Sequence, residues 1–426
     1  MSTPSLETDF LGISFPNPFT LSSAPPTTTG EMIMRAFDAG WGAAVTKSLT
    51  VDADKTVNVT PRLATVNDPR SGKRGQAQAL QNIELATTRP LELWLDEIRD
   101  IRTRYPDHVI MASVMSDADS PDDWKMLTVE SQKAGAQIIE INLACPHGLP
   151  EMGMGAAIGA NPELVARVTG WSTAVADVPV IAKLTATCSD IRAVASAAMD
   201  NGASGLAAIN TVDSISGVDL DTLVPYPVVG TMSTHGGLSG PAIKPIALRC
   251  VADIAAMGYP VSCSGGLWNW RDAAEFVLLG ASNLQICTLV MYKGYKVIRQ
   301  LTRGLEEYMG EHGFRTIDEF CGASLGHLVS HSELDRDYRV VAWSDQDVCR
   351  QCGRCYTSCN DAGYQAISWN KKEYPQYHSD KCDGCSLCMH VCPEGAIKML
   401  SPEEAEARRQ EVATGDRRTS QLAGSS

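Results

Sequence analysis

The chain has 426 residues, with 36 lysines and arginines against 50 aspartates and glutamates, a formal net charge of −14. That length supports about three ordinary domains, or one large barrel with a small companion, and it buries a sizeable core unaided. The acidic balance argues against a nucleic-acid partner, no apolar run reaches the ~18 residues of a membrane span, and the opening MSTPSLETDF lacks the basic and apolar regions of a signal peptide, so a cytoplasmic location is expected.

In chain order, eight apolar runs read as strands: NPFTLSSAP, GAAVTKSL, VIMASVM, IIEINLAC, PVIAKLT, GLAAINTV, PVSCSGGL and NLQICTLVM. Their apolar residues are mostly Val, Ile, Leu and Ala, as in strands buried on both faces. Amphipathic, helix-like stretches alternate with them, the pattern of a parallel α/β protein. Gly40, Gly135, Gly202, Gly258 and Gly280 each stand where a helix ends before a strand, and glycine takes the left-handed conformation there without a Cβ penalty. One βα unit repeated in this way predicts a (β/α)8 TIM barrel over residues 1–311, with a doubly wound sheet as the competing arrangement.

The stretch 51–108 is too long for a simple crossover. It is expected to hold an inserted hairpin and a helix around LELWLDEIRDIRTRY. The barrel's last helix lies in YKVIRQLTRGLEEYMGEHG. Residues 312–344 then read as a connector, 345–400 as a cysteine module, and 401–426 as a charged tail, a short helix followed by disorder.

Of 14 cysteines, six are spread over residues 1–348 and eight fall between Cys349 and Cys392. Clustered cysteines in a reducing compartment bind metal more often than they form disulfides. CRQCGRCYTSC supplies Cys349, Cys352, Cys355 and Cys359; CDGCSLCMHVCP supplies Cys382, Cys385, Cys388 and Cys392. Both read C-x2-C-x2-C-x3-C, the spacing of a ferredoxin-like domain with two [4Fe–4S] clusters, in which three close thiolates grip one cubane and the fourth reaches the other. One cluster is therefore expected on Cys349, Cys352, Cys355 and Cys392, the other on Cys382, Cys385, Cys388 and Cys359. The second run carries the following Pro393, whereas the first has Asn360, a departure that touches a turn and no ligand. Zinc in CxxC pairs is the poorer account, since it leaves the third cysteine of each run without work.

Barrel chemistry gathers at the C-terminal ends of strands. Polar residues stand at those ends here: Lys47, Ser113, Asn142 with Cys145, Lys183, Asn210 with Thr211, the Ser264–Gly265–Gly266 turn, and Cys287 with Thr288. The loops after strands seven and eight have the glycines of a phosphate site, and HGGLSG, with Gly236, Gly237, Ser239 and Gly240, reads as another flexible loop near it. Lysine is rarely buried unpaired, so Lys47 and Lys183, each inside an apolar strand, call for an anionic partner. A reduced flavin is one candidate, and a buried carboxylate such as Glu140 is the other. Cys145 opens a loop at the active face, before Pro146, His147 and Gly148. Its thiol suits a general acid, although a lone cysteine is commonly structural. Cys188, Cys250, Cys263, Cys287 and Cys321 have no setting as clear as this one. GMGAAIGA only faintly matches a dinucleotide fingerprint and reads as a mobile lid after strand four.

Residues 6–400 resemble the catalytic subunits of bacterial NAD-dependent dihydropyrimidine dehydrogenases and, more distantly, the class 1 dihydroorotate dehydrogenases. The resemblance is carried by AFDAGWGAAVTKS, QNIELAT, INLACPHG, IAKLTATC, AINTV, GGLSGPAIKPIALR and the double ferredoxin run. It implies an FMN at the top of the barrel and reversible reduction of the 5,6 double bond of uracil and thymine. It casts Cys145 as the acid at C5, opposite hydride delivery to C6. It gives Lys47 and Lys183 to the flavin, with Ser23, Ala24, Asn210, Thr211, Gly237, Gly266 and Thr288 nearby, and assigns Asn82, Glu84, Asn142, Asn210 and Thr211 to the pyrimidine. It also implies that electrons come from a separate PreT-type flavoprotein subunit carrying FAD and NAD(H), in a heterotetramer. The family's serine before the cysteine is replaced by Ala144, which bears on substrate preference.

Overall fold

The computed structural model describes residues 4–53, 56–67, 77–146 and 153–414. They form two compact units, the first ending at Leu328 and the second beginning at Val329.

The first unit is built on a closed barrel of eight strands, all paired in parallel. In chain order the strands are Phe19–Leu21, Ala43–Val45, Val109–Val114, Ile138–Asn142, Val180–Leu184, Gly205–Ala208, Val261–Ser264 and Ala281–Ile286. Seven lie within the apolar runs and the eighth begins two residues before NLQICTLVM, and closure excludes the doubly wound sheet. Every strand is followed by an outer helix: Gly30–Ala39, Leu91–Arg104, Pro121–Ala134, Pro162–Thr173, Ile191–Met199, Lys244–Ala255, Trp270–Leu278 and Ile298–His312. The five glycines at the helix-to-strand junctions all have φ between +80° and +114°, so the chain reverses there at positions a side chain would strain.

The end of the barrel where the strands begin is closed by a hairpin, Thr8–Phe10 with Ile13–Phe15. Its tight turn, Leu11–Gly12, has positive φ at both residues. Phe10 and Phe15 pack against Val45, Val109, Met111, Ile138 and Ile181, filling that half of the barrel with apolar side chains. Above this layer the interior turns polar: Ser262, Asn283 and Thr20 are buried and bonded in a row, Ser262 Oγ to Asn283 Oδ1 at 2.7 Å and Asn283 Nδ2 to Thr20 Oγ1 at 2.8 Å.

At the other end lies an antiparallel four-stranded sheet, ordered Val212–Ser214, Gly236–Ser239, Ala77–Asn82 and Leu63–Asn67. The expected hairpin in 51–108 supplies two of these strands. The HGGLSG segment corrects its sequence reading: it is no flexible loop but a strand held between two neighbours, with Gly237 opposite both Asn82 and Asp213. Its glycines answer to crowding, since a Cβ on Gly236 would lie 2.6 Å from the Asn82 carbonyl oxygen. Residues 156–159 of GMGAAIGA form a helical turn with Ile158 and Gly159 buried; the stretch 147–152 before them, with His147 and Gly148, lies outside the described residues.

The stretch expected as a connector lends its two ends to the two units. Ile317 and Phe320 are buried in the barrel unit's core, and Val341–Ser344 pairs antiparallel with Ile397–Leu400 in the second unit. That unit also holds the helices Arg354–Ala362 and Leu387–His390 and a short ladder of Ile367–Ser368 with Gln376–Tyr377. The helix Pro402–Thr414 packs Ala405 against Val341 and Trp343, so this part of the charged tail is docked; the tail beyond it lies outside the described residues. No helix among the described residues is long and apolar enough to cross a membrane.

Candidate active site

The barrel strands end around one cleft, with about 1010 Å³ of empty space including its mouth. Ser23, Ala24, Lys47, Lys183, Asn210, Thr211, Gly265, Gly266, Cys287 and Thr288 line it, as do Asn82, Glu84, Asn142 and Cys145. The fold thus gathers side chains from all parts of the first unit, and the accessory sheet brings Asn82 and Glu84 over the barrel. Gly237 is not in this lining; it packs against Thr211.

Both buried lysines have carboxylate partners. Lys47 Nζ is 3.3 Å from Glu84 Oε1, whose other oxygen lies 3.7 Å from Arg62 Nε. Lys183 Nζ is 3.3 Å from Glu140 Oε1 and 3.1 Å from Gln285 Oε1, while Gln285 Nε2 donates to Glu140 Oε2 at 2.8 Å. Glu140 is therefore the buried carboxylate that the sequence left as one of two candidates for a lysine's partner. The lysines also line the cleft, so the pairing does not remove them from it.

Ser48 is a hub that sequence reasoning missed. Its hydroxyl accepts from Asn142 Nδ2 at 2.9 Å and meets the Ser113 and Ser23 hydroxyls at 2.9 and 3.2 Å. Asn210 Nδ2 donates to Asn142 Oδ1 at 3.3 Å, and Asn210 Oδ1 accepts from the Thr211 backbone N–H at 2.8 Å. Asn82 is turned by accepting from the Glu84 backbone N–H at 3.2 Å. These bonds fix three carboxamides and leave the rest of their donor and acceptor capacity for a ligand. Gln285 was also missed, although the argument that exposed Lys183, a polar side chain in an apolar strand, applies to it equally.

Cys145 is half-buried, beside Leu85, Ala86, Met115 and Met154. Its carbonyl accepts from Ala156 N at 2.9 Å, and the close approach needs Gly155, where a Cβ would lie 2.6 Å from that oxygen and φ is +58°. The Cys287 thiol is pushed up to about 12 by burial, with Lys47 and Lys183 pulling the other way, so it stays protonated. Burial also raises the thiols of Cys250 and Cys321 to about 11 and raises those of Cys188 and Cys263.

In the second unit the eight clustered cysteines divide between two cavities. Cys349, Cys352, Cys355 and Cys392, the first quartet, ring one; Cys359, Cys382, Cys385 and Cys388, the second quartet, ring the other. Each run of three thus shares a cavity with the last cysteine of the opposite run. Among the described residues no three cysteine, histidine or carboxylate side chains close on a position for a single ion. Thiols set around a void suit a cubane better than a point-like zinc.

A profile of the family described as "Dihydroorotate dehydrogenase" matches residues 5–309, the whole barrel. The chain belongs to the dihydroorotate dehydrogenase family. A second profile, "4Fe-4S dicluster domain", matches residues 342–399. The NAD-dependent dihydropyrimidine dehydrogenase subunit PreA of Escherichia coli K12 is 39% identical over 404 residues, covering 94% of this chain and 96% of its own. The chloroplastic dihydropyrimidine dehydrogenase (NADP(+)) of Arabidopsis thaliana is 42% identical over 344 residues, 78% of this chain and 80% of its own. The catalytic subunit of dihydroorotate dehydrogenase B (NAD(+)) from Pyrococcus abyssi is 36% identical over 328 residues, 75% of this chain and 99% of its own.

As a dihydroorotate dehydrogenase family member with a dicluster domain, the chain is an oxidoreductase that uses FMN and iron–sulfur clusters. The cleft fits a flavin mononucleotide. Gly265 and Gly266, with φ of +114° and +87°, turn the backbone at one wall of the cleft and let it pack closely on Ala247 and Lys244, a glycine turn of the kind that offers peptide N–H groups to a phosphate. The cationic Lys47 and Lys183 and the polar Ser22 and Gln285 lie in the same lining.

Proposed function

We propose that this chain is the catalytic subunit of a dihydropyrimidine dehydrogenase that reversibly reduces the 5,6 double bond of uracil or thymine. The observation that carries the reading is Glu84. A carboxylate in the cleft wall, with Asn82, Asn142 and Asn210 around the same space, suits a neutral ring edged with amide-like donors and acceptors. Lys47 and Arg62 are paired with Glu84, so the described wall offers no uncommitted cation for the carboxylate that a dihydroorotate-type substrate carries.

Held in this cleft, an FMN would supply hydride exchange at ring carbon C6. The carboxamides of Asn142 and Asn210, together with Thr211, orient the ring, and Glu84 accepts from a ring N–H. Cys145 holds a proton on Sγ and delivers it to C5, a general-acid role that contributes typically 10²–10⁴-fold. Lys47 and Lys183, with Ser23, Ala24, Gly265, Gly266, Cys287 and Thr288, hold the flavin, and Gly237 supports Thr211 from behind. The two cysteine quartets hold one [4Fe–4S] cluster each. Electrons reach them from a PreT-type flavoprotein subunit with FAD and NAD(H), in a heterotetramer; the relative from Escherichia coli is itself named as a subunit of an NAD-dependent enzyme.

The test is anaerobic titration of the purified chain, after its flavin and iron have been assayed. Dihydrouracil or dihydrothymine should bleach the flavin absorbance. Bleaching by dihydroorotate with none by either dihydropyrimidine would overturn the substrate assignment.

A further inference from the structure

The two cysteine-ringed cavities differ in what else lines them. Tyr377 borders both, held there by the ladder that sets it opposite Ile367. Its hydroxyl oxygen is buried with no hydrogen-bond partner, and so is that of Ser344 at the end of strand Val341–Ser344. An unmade buried hydroxyl bond costs about 1–3 kcal/mol, so two in one small unit call for an acceptor that a bound group would bring. Ser344 lines only the cavity of the first quartet. The Tyr377 hydroxyl stands beside the Cys355 thiol, a member of that quartet, and beside Ser344 itself, without hydrogen-bond geometry to either.

Other features lean the same way. Backbone N–H groups of Gln351 and Ala396 donate to Cys349 and Cys392 of the first quartet at 3.4 and 3.3 Å, whereas Cys359 of the second accepts from Ala366 at 3.3 Å. The guanidiniums of Arg350 and Arg354, with one carboxylate from Glu394, border the first cavity; Asp383 is the charged side chain bordering the second. Hydrogen bonds to cluster sulfur and nearby positive charge both favour the reduced state.

We propose that the two clusters have unequal reduction potentials, the first quartet's being the easier to reduce, and that Tyr377 and Ser344 donate hydrogen bonds that make it so. The inference rests on the reading that each quartet holds a [4Fe–4S] cluster. An electron passing between them then leaves the second quartet's cluster oxidised and settles on the first quartet's, which biases the order in which the pair fills.

The test is an anaerobic redox titration of the full chain, followed by electron paramagnetic resonance, with Cys352→Ser and Cys385→Ser marking which signal belongs to which quartet. The first quartet's signal should appear at the higher potential. Tyr377→Phe should shift its reduction equilibrium about tenfold toward the oxidised form, about 59 mV for one electron, and leave the second signal closer to its wild-type position. Ser344→Ala should shift the same signal in the same direction, and it decides the matter if Tyr377→Phe loses iron. Equal or reversed potentials in the wild type, or no shift of the first signal in either iron-replete variant, overturns the inference while the cluster reading stands. A purified chain without iron or any such signal overturns both.

Discussion

Lys183 Nζ and Glu140 Oε1 lie 3.3 Å apart inside the barrel, with the Glu140 side chain wholly removed from solvent. The pair joins strands four and five, and Gln285 from strand eight bonds to both members. It marks where the interior changes from a packed apolar core to the floor of a site.

Breaking that pair should be costly. Glu140→Gln keeps the shape but leaves the lysine without its counter-charge, and losing one partner of a buried pair typically destabilises by about 3–5 kcal/mol. Urea denaturation of the variant should show a lowered midpoint with an unchanged slope. A midpoint equal to wild type would show that Lys183 sheds its proton or reaches water.

Cys145→Ala should leave flavin content and the denaturation midpoint near wild type while slowing the chemical step by about 10²-fold or more. Single-turnover reduction of uracil, followed through flavin absorbance, measures this directly. Wild-type rates in the variant would remove Cys145 from proton delivery.

Gly266→Ala tests the tight turn in the cleft wall. The added Cβ meets Lys244 Cα at 2.5 Å, and φ of +87° is itself unfavourable to a side chain. Strain in the left-handed region alone costs about 1–2 kcal/mol. Purified variant protein should hold less flavin per chain than wild type, with iron content unchanged.

Acid stability should depend on Glu97, which accepts from both Arg89 terminal nitrogens at 2.7 and 2.6 Å and from Gly30 N at 2.8 Å. Burial raises its pKa, and the bonds from Arg89 and Gly30 outweigh this, holding the carboxyl below its usual 4.5. A group with a lowered folded-state pKa contributes stability that is full above its unfolded pKa and is lost as pH falls through the folded value. Glu97→Gln should therefore be less stable than wild type at neutral pH, with the gap closing below pH 4.5. A gap that stays constant with pH would show that the ion pair is not its source.

Some of this was legible in the chain itself. Periodic apolar runs and junction glycines report local backbone geometry, so the barrel's strands and the left-handed helix ends could be read in order. Cysteine spacing likewise marks the two C-x2-C-x2-C-x3-C runs, because three thiolates that close in on one cubane must come from short offsets along one run. What the sequence left open depends on closure. Glu140 and Gln285 are 145 positions apart, and only the barrel's circular order sets one beside the other. Glycines in HGGLSG have the same composition whether they loop or pair, and the partner strands Ala77–Asn82 and Val212–Ser214 decide for pairing. Ser48 looks like any serine after a strand until Asn142, Ser113 and Ser23 converge on it. Local propensity acts over a few residues, whereas a site's hydrogen bonds and charge pairs form between residues far apart in sequence. The chain alone therefore determined the fold class and the two cysteine runs, and the tertiary structure decided which polar groups meet within the cleft and which cysteines share a cavity.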